Sequence, residues 1–519
     1  MTQPGASLPN TADPSPSPAI ATGARAASDQ RDIAALAKGG RTNVIGFLLR
    51  LVARIPFLII ASQLYGAAAM GRFASALVMV EFAGMAATLG QKRGLAQRLA
   101  EEREHPANAV ADALLAATLT AVVLSVPIYL FPASMYPKGN FVPTDLLLVL
   151  SVWVLAMGDI ALAALAFRFD VATTVRARSV VEPWTLSIAA GLFYFLAPQS
   201  GLSLAYLASV CAATLVALVA LVRSYGVPRQ WQPHPQRLFA LIARNMPLAG
   251  ADAVEWGTRK LDVFILRFFV GEESLGIYYF AQQFASLPQK LKTSFEPMLG
   301  PVITRNVRSG NLEAIAAQVR QVGFWITAAQ VGIGLALGIA GAGLMELGGP
   351  KYVEGALALI FLLMAEVCAA PAVVSEAALI YITPKRNFAI SLGTILLQFI
   401  LTMAGMIIDD IFDLDDMARL ASAAGALMVT LMIASVAKSW LLAHHLGQKV
   451  SSLRWSLVGA ALPAAVAGLA AVTFLPGGLA LLLGIPAVLA VYCLVMWYRG
   501  FGPADRLLFR RNVDDGDAA

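Results

Sequence analysis

The stretch RNMPLAGADAVEWGTRKLDVFILRFFVGEESLG, residues 244–276, is long enough to cross a bilayer, yet it carries several ionisable side chains. Asp252, Glu255, Arg259 and Asp262 recur at steps of three and four, so they share one helical face. An unpaired charge at the centre of a membrane helix costs about 3 kcal/mol, and such residues normally face protein or a water-filled cavity. The stretch therefore predicts a membrane helix beside a polar passage.

A related helix lies near the start of the chain. Sliding the sequence by 205 positions places Arg54 on Arg259 and Gly71 on Gly276. In each half a charged helix ends in a tight glycine-containing turn, and the next helix runs into a long basic loop. Two six-helix halves of the same orientation form a parallel repeat, and transporters of this kind bind substrate between the halves.

Composition places the whole chain in a membrane. Of its 519 residues 58% are hydrophobic and only 13% are charged, with a mean hydropathy of +0.70. Soluble domains carry about 25% charged residues. Apolar windows fill nearly the whole length, which leaves no room for a soluble catalytic domain, and we expect no enzyme activity, cofactor or metal. The net charge of +6 lies in loops between spans and does not indicate nucleic-acid binding.

The predicted fold is an all-α polytopic membrane protein of about 14 helices, with two pseudo-symmetric six-helix bundles and two C-terminal helices. The predicted spans are 44–64, 73–90, 109–131, 145–167, 179–197, 202–222, 246–269, 276–299, 318–341, 353–376, 387–407, 417–437, 456–475 and 479–498. The predicted divisions are a disordered cytoplasmic tail at 1–40, bundles at 41–225 and 226–445, the additional helices at 446–500, and a cytoplasmic tail at 501–519.

Loop charges predict the orientation. With a cytoplasmic N-terminus, the inner loops hold most loop arginines and lysines, whereas the outer loops hold only Arg72, Lys138 and Lys351. This alternation follows the positive-inside rule, and one missed helix would invert every later loop. We therefore expect a multi-pass membrane protein with both termini cytoplasmic.

The first span supplies a candidate binding surface for an anion. Arg50 and Arg54 lie one turn apart on one face, and the planar guanidinium suits phosphate groups. The alternative is that Arg54 pairs with a carboxylate such as Glu81 on the next helix.

The seventh span adds Glu255, Arg259 and Lys260 to this surface. Internal pairing is the alternative here, because Arg259 is four residues from Glu255 and three from Asp262. Arg267, near the outer end, is expected to snorkel towards water.

The eighth span carries a polar stripe that includes Gln282 and Gln289, with Lys290 and Lys292 close by. Amides supply the donors and acceptors that sugars need. The acidic residues within the spans are candidates for proton or sodium coupling, although such residues are more often paired in the interior. These candidates are Glu81, Asp159, Asp252, Asp262 and Glu366.

Two longer patterns carry a family resemblance. They are LIIASQLYGAAAMGRFASALVMVEFAGMAATLG, residues 58–90, and its counterpart LDVFILRFFVGEESLGIYYFAQQFASLPQKLKTSFEPMLGPVITR, residues 261–305. A Gly-x-Tyr from Gly276 to Tyr278 and a proline-to-arginine exit from the eighth helix, Pro297 or Pro301 to Arg305, complete them. The chain resembles the MOP exporter superfamily, specifically its polysaccharide transporter or O-antigen (Wzx-type) flippase family, over about residues 41–500.

The resemblance implies two bundles arranged as a V, with rocker-switch alternating access to a central cavity. It implies an undecaprenyl-pyrophosphate-linked oligosaccharide as cargo, turned from the cytoplasmic to the periplasmic leaflet of a bacterial inner membrane for lipopolysaccharide O-antigen, capsule or exopolysaccharide assembly. We expect a monomeric transporter with polysaccharide polymerase machinery as a partner. In that family cations on the first, seventh and eighth helices line the cavity. The matching positions here are Arg50, Arg54, Arg259, Lys260, Lys290 and Lys292.

The sequence leaves three other functions to be considered. A multidrug exporter of the same superfamily would favour cavity carboxylates without competing arginines, and a peptidoglycan-precursor flippase would have similar cavity charge. A membrane polysaccharide polymerase or ligase would need a large periplasmic loop, and the predicted outer loops are short.

Overall fold

The computed structural model describes residues 55–101, 105–293, 303–307, 309–475 and 477–506, and of the side chains of residues 289–293 it gives no description. The described part is helical throughout and contains no strand. We number the long helices by the predicted spans. They are α1 (described over 55–65), α2 (Gly66–Ala87), α3 (Pro106–Leu130), α4 (Leu150–Phe167), α5 (Glu182–Leu196), α6 (Gly201–Tyr225), α7 (Pro235–Phe269), α8 (Glu272–Thr293), α9 (Leu312–Ile339), α10 (Ala356–Ile382), α11 (Pro384–Ile411), α12 (Asp416–Leu446), α13 (Trp455–Phe474) and α14 (Gly477–Val495).

Over the residues that the structure describes, each predicted span overlaps one of these helices, so the all-α membrane fold is confirmed. Among the described residues, 11 helical segments are long and apolar enough to cross a membrane, the first of which joins α1 and α2. Helices α7 and α8 are also long, with 35 and 22 residues, but the charges of α7 and the polar stripe of α8 set them apart from the apolar spans. An additional basic helix, Gln91–Glu101, follows α2, and we call it the connector helix.

Helix ends follow the local sequence. Proline occupies the first turn of α3, α7 and α11, where its missing N–H costs nothing. Asn311 and Asp415 accept hydrogen bonds from backbone N–H groups as N-caps of α9 and α12. These residues determine where each of these helices begins.

The loops gather at two ends of the bundle. We call the end formed by 88–108, 168–178, 223–245, 303–311, 383–387 and 447–454 the basic end, and the end formed by 65–72, 131–143, 197–201, 269–273, 340–351 and 412–416 the acidic end. The loop contacts described below join residues of one end to residues of the same end, as the predicted alternation requires.

The two halves repeat the same packing. Every main helix pair of the first half has a counterpart six helices later. The pairs are α1–α5, α2–α3, α2–α4, α3–α4, α4–α6 and α5–α6 in the first half, and α7–α11, α8–α9, α8–α10, α9–α10, α10–α12 and α11–α12 in the second. Helices α13 and α14 pack on each other and on α9, and Asp505 fastens the following segment to α9 through the Trp325 indole N–H at 3.0 Å.

The halves meet most closely where α2 crosses α8 at the acidic end. A Cβ on Gly71 would overlap the carbonyl oxygen of Glu272, and one on Gly276 would overlap that of Ala67. The two contacts are related by the 205-residue offset, so the pseudo-twofold axis passes between the two glycines. Small residues let membrane helices approach to backbone contact, and glycine is required at both positions.

We expect Gly71→Ala to destabilise the protein by about 1–3 kcal/mol, because the added methyl forces two helix backbones apart. The matched control is Gly393→Ala in α11, where an added Cβ meets nothing within 4 Å. That change should be neutral or stabilising by up to about 1 kcal/mol through helix propensity. Unfolding midpoints of the purified proteins in detergent test this, and equal behaviour of the two variants would contradict the close crossing.

Candidate functional site

We call the interface of α2 and the connector helix with α7 and α8 the seam between the halves. The seam is also closed at the basic end. There the connector helix lies against the third and fourth turns of α7, and a Cβ on Gly90 would overlap the backbone of Ala249. Gly90 also has a φ of +69°, which favours glycine. Next to it, Gly94 leaves room for the side chain of Asn245. The connector helix can therefore lie flat against α7 and block the seam at this end.

Arg93, between these two glycines, ties the connector helix to α7. Its Nε lies 2.9 Å from Asp252 Oδ1, and its Nη2 lies 2.7 Å from Glu255 Oε2. Further out, Arg244 pairs with Glu101 at 2.5 Å, with both side chains more than half exposed. The basic end is thus closed by ion pairs that bridge the two halves.

Glu255 links this closure to the middle of the seam, because its other oxygen lies 3.0 Å from Arg259 Nη2. Glu255 and Arg259 have exposed side-chain fractions of 49% and 44%, whereas Asp252 is buried. The pairing of Arg259 with Glu255 that the spacing allowed is present, and that with Asp262 is not among the described ion pairs. The Arg259 side chain is nearly half exposed, so an anion can reach its guanidinium and replace Glu255 as its partner.

A second link crosses the seam one turn further along. Lys260 Nζ lies 3.6 Å from Glu81 Oε2 on α2, and the Trp256 and Phe82 rings pack at 4.7 Å. Glu81, predicted as a possible partner of Arg54, therefore has Lys260 as a partner. Both side chains remain about a quarter exposed, at 26% and 29%.

Asp262 is fully buried between α7 and α8. It accepts a hydrogen bond from the Tyr278 hydroxyl at 2.7 Å and one from the Gln282 amide at 3.3 Å. Its other carboxylate oxygen has no hydrogen-bond partner among the described residues. The predicted binding residue Gln282 thus supports a buried acid in the second half.

Two further coupling candidates are Asp159 and Glu366. Asp159 on α4 pairs with Arg178 and lies 4.0 Å from Lys92, and Arg178 also binds Glu182 at 2.8 Å. Glu366 is buried within α10. Arg50 and Arg54, and the side chains of Gln289, Lys290 and Lys292, lie outside the described part of the chain, so their predicted roles stay predictions.

One sequence expectation is wrong. Arg267 does not snorkel to water: it is 3% exposed, and its Nη1 donates to the backbone carbonyl of Ser75 on α2 at 3.0 Å. The rings of Phe264 and Phe268 flank the guanidinium carbon at 4.6 and 4.7 Å. Arg267 therefore joins the halves at the acidic end, as Arg93 does at the basic end.

The linker between the halves is held by the first half. The Trp231 indole N–H donates to Asp112 Oδ1 at 2.8 Å, and Arg98 Nη2 donates to Asp112 Oδ2 at 2.9 Å. Asn108 exchanges two hydrogen bonds with the backbone of Arg229. The linker is thereby fixed to α3 up to the start of α7, so relative motion of the halves must involve α7 itself.

The family described as polysaccharide biosynthesis protein matches residues 40–307, slightly more than half of the chain. This chain belongs to the polysaccharide biosynthesis protein family. No functionally curated protein sequence matches it significantly. The match spans the whole first half together with α7 and α8, which are the helices that form the seam.

Solved transporter structures share the fold of this polysaccharide biosynthesis protein. The lipid II flippase MurJ, in an inward closed conformation, has 12% identity and a TM-score of 0.68, covering 88% of this chain and 99% of its own. An inward-facing MATE-family transporter of the MOP superfamily has 14% identity and a TM-score of 0.61, covering 77% and 98%. A MOP superfamily transporter from Pyrococcus furiosus has 14% identity and a TM-score of 0.58, covering 81% and 96%. The chain thus shares the fold of these multi-pass membrane transporters, as the resemblance to the MOP exporter superfamily implied.

We expect Arg93→Met to open the basic end, because it removes both ion pairs to α7 and leaves the mostly buried Asp252 without its cation. The expected loss of stability is about 1–3 kcal/mol, reduced from the value for a buried pair by the partial exposure of Arg93. In a protein whose three cysteines have been replaced, maleimide labelling of a cysteine introduced at the buried Asn245 should rise.

The matched control is Glu101→Gln, which breaks the exposed pair with Arg244. That change should alter stability by less than about 0.5 kcal/mol and leave labelling at position 245 unchanged. Equal labelling in wild type and Arg93→Met would show that Arg93 does not hold this end closed.

Proposed function

We propose that this protein is a flippase that moves an undecaprenyl-pyrophosphate-linked oligosaccharide across a bacterial inner membrane by alternating access. The glycan would serve O-antigen, capsule or exopolysaccharide assembly, and both termini would be cytoplasmic. The basic end would then face the cytoplasm. Membership of a polysaccharide biosynthesis family and the transporter fold support this proposal.

The observation that carries the proposal is the position of two partly exposed cations, Arg259 and Lys260, midway along the seam. In the described part of the chain each forms an ion pair with a single carboxylate, and in each pair both side chains are at least a quarter exposed. A diphosphate offers more negative charge than one carboxylate, and it can accept a bidentate hydrogen bond from the guanidinium. An entering headgroup can therefore replace Glu255 at Arg259.

The same exchange couples the centre of the seam to the basic end. Glu255 also binds Arg93, so a headgroup at Arg259 alters the pairing of the residue that helps to hold the connector helix. Carbohydrate would meet the polar side chains of α7 and α8, while the prenyl chain stays in lipid, since its transfer into a polar passage would be costly.

A peptidoglycan lipid precursor is the second candidate cargo. It is favoured by the likeness to MurJ, whose structure covers 88% of this chain with a TM-score of 0.68. Both cargoes present a diphosphate to the same cations, so the choice depends on the sugar. A cation-coupled multidrug exporter fits less well, because Arg259 and Lys260 would repel a cationic drug.

We expect Arg259→Ala and Lys260→Ala each to lower surface glycan by about tenfold or more in a cell that depends on this protein, since each removes a charge-assisted hydrogen bond. Lipid-linked glycan should accumulate in the cytoplasmic leaflet. Quantification of surface glycan and of the accumulated lipid tests this, with membrane levels of the protein measured in parallel.

The matched control is Arg386→Ala at the basic end, whose guanidinium contacts His445 at 3.1 Å away from the seam. That variant should retain normal glycan. Normal glycan in both seam variants would refute the proposed binding role, and accumulation of a peptidoglycan precursor instead of glycan would select the second cargo.

A further inference from the structure

A small cavity lies at the acidic end of the seam, beside the α2–α8 crossing. Its volume is about 10 Å³, which is room for roughly one water molecule. Both halves line it: Arg72 and Ser75 from α2, Tyr136 and Lys138 from the loop after α3, Arg267 from α7 and Glu272 from α8. It therefore widens when the halves separate at this end.

Two buried donors in this cavity lack acceptors. Arg267 Nε and the Tyr136 hydroxyl have no hydrogen-bond partner among the described residues, although the two side chains are each 3% exposed. Unpaired buried donors cost about 1–3 kcal/mol each, more when charged. Burial, assisted by the nearby Asp145 carboxylate, raises the pKa of Tyr136, so its phenol stays protonated and can donate.

The cavity also carries a surplus of positive charge. Arg72, Lys138 and Arg267 face it, against the single carboxylate of Glu272, which lies 3.7 Å from Arg72. The neighbouring Asp145 is already engaged by the Ser203 hydroxyl at 2.9 Å and the Val142 N–H at 3.1 Å. Among the described residues, the Arg267 guanidinium has no carboxylate within ion-pair distance and is held by a carbonyl and two rings.

We propose that this cavity is a second anion site, which takes the diphosphate group of a lipid or of a free diphosphate as the halves part at the acidic end. A diphosphate is larger than one water molecule, so it enters only when the seam opens. Opening also removes Ser75 from Arg267, because the two residues belong to different halves. The freed guanidinium, the Tyr136 hydroxyl and Lys138 then supply donors to the phosphate oxygens.

This site lies at the opposite end of the seam from Arg93, and it is distinct from Arg259. It rests on the proposed function only for the lipid source of the diphosphate. In the proposed transport cycle the cargo headgroup would pass from Arg259 to Arg267. A cation at each of these two positions lowers the free-energy cost of moving a charged group through the membrane interior.

The test is calorimetric titration of the purified full-length protein with inorganic pyrophosphate at constant ionic strength. Tyr136→Phe removes only the hydroxyl and should weaken binding several-fold, and Arg267→Met should weaken it about tenfold or more. Arg419→Met is the matched control, because Arg419 lies at the same end but pairs with Asp410 and Asp416. That variant should bind as wild type does. Since Tyr136→Phe keeps the ring, it preserves the test if Arg267→Met fails to fold.

Arg259→Ala separates this inference from the proposed function. Binding that Arg259→Ala abolishes and both cavity variants keep would place the diphosphate at the seam centre alone and overturn the second site. No pyrophosphate binding by wild type, or an equal heat with chloride, would overturn it as well. Farnesyl diphosphate that competes with pyrophosphate in wild type and loses affinity in both cavity variants would support a lipid headgroup as the source. Binding of pyrophosphate alone, with the same dependence on both variants, would support a free anion.

Discussion

Charged groups placed within a membrane need partners, and in this protein several of those partners come from the opposite half. Arg93 reaches Asp252 and Glu255, Lys260 reaches Glu81, and Arg267 reaches the carbonyl of Ser75. Each link satisfies a group that hydrocarbon would otherwise penalise. The halves are therefore joined by residues that the proposed diphosphate cargo would also contact, so the proposal couples cargo binding to separation of the halves through shared partners.

The two ends of the seam are closed by different kinds of interaction. At the acidic end, Gly71 and Gly276 bring two helix backbones into contact across the pseudo-twofold axis, and packing of this kind depends little on salt or charge. At the basic end, half-exposed ion pairs hold the connector helix against α7, and water and salt screen such pairs. An anion arriving at the basic end can compete for those cations, whereas the glycine crossing offers it nothing to displace.

Sequence alone predicts the fold because hydropathy, proline and glycine positions and loop charge each report on it independently. The 205-residue offset even aligned the two glycines that touch. The site is harder, since helical spacing places Asp252, Glu255, Arg259 and Asp262 on one face but cannot say which other helix supplies partners. In the sequence Arg93 is one of several loop cations, although Gly90 and Gly94 on either side of it indicate a close approach to another helix. Arg267 was expected to snorkel because its actual neighbours, Ser75 and Tyr136, are more than a hundred residues away in the chain.

The chain of contacts from Arg93 through Glu255 to Arg259 has a direction. Glu255 is shared, so any anion that binds Arg259 leaves Glu255 free to bind Arg93 more fully, and the bridge to the connector helix then tightens rather than breaks. Under that reading a headgroup at the seam centre holds the basic end shut behind it. In the proposed transport cycle the acidic end then opens to release the headgroup, and Arg267 Nη1 becomes available as a donor only when it separates from the Ser75 carbonyl.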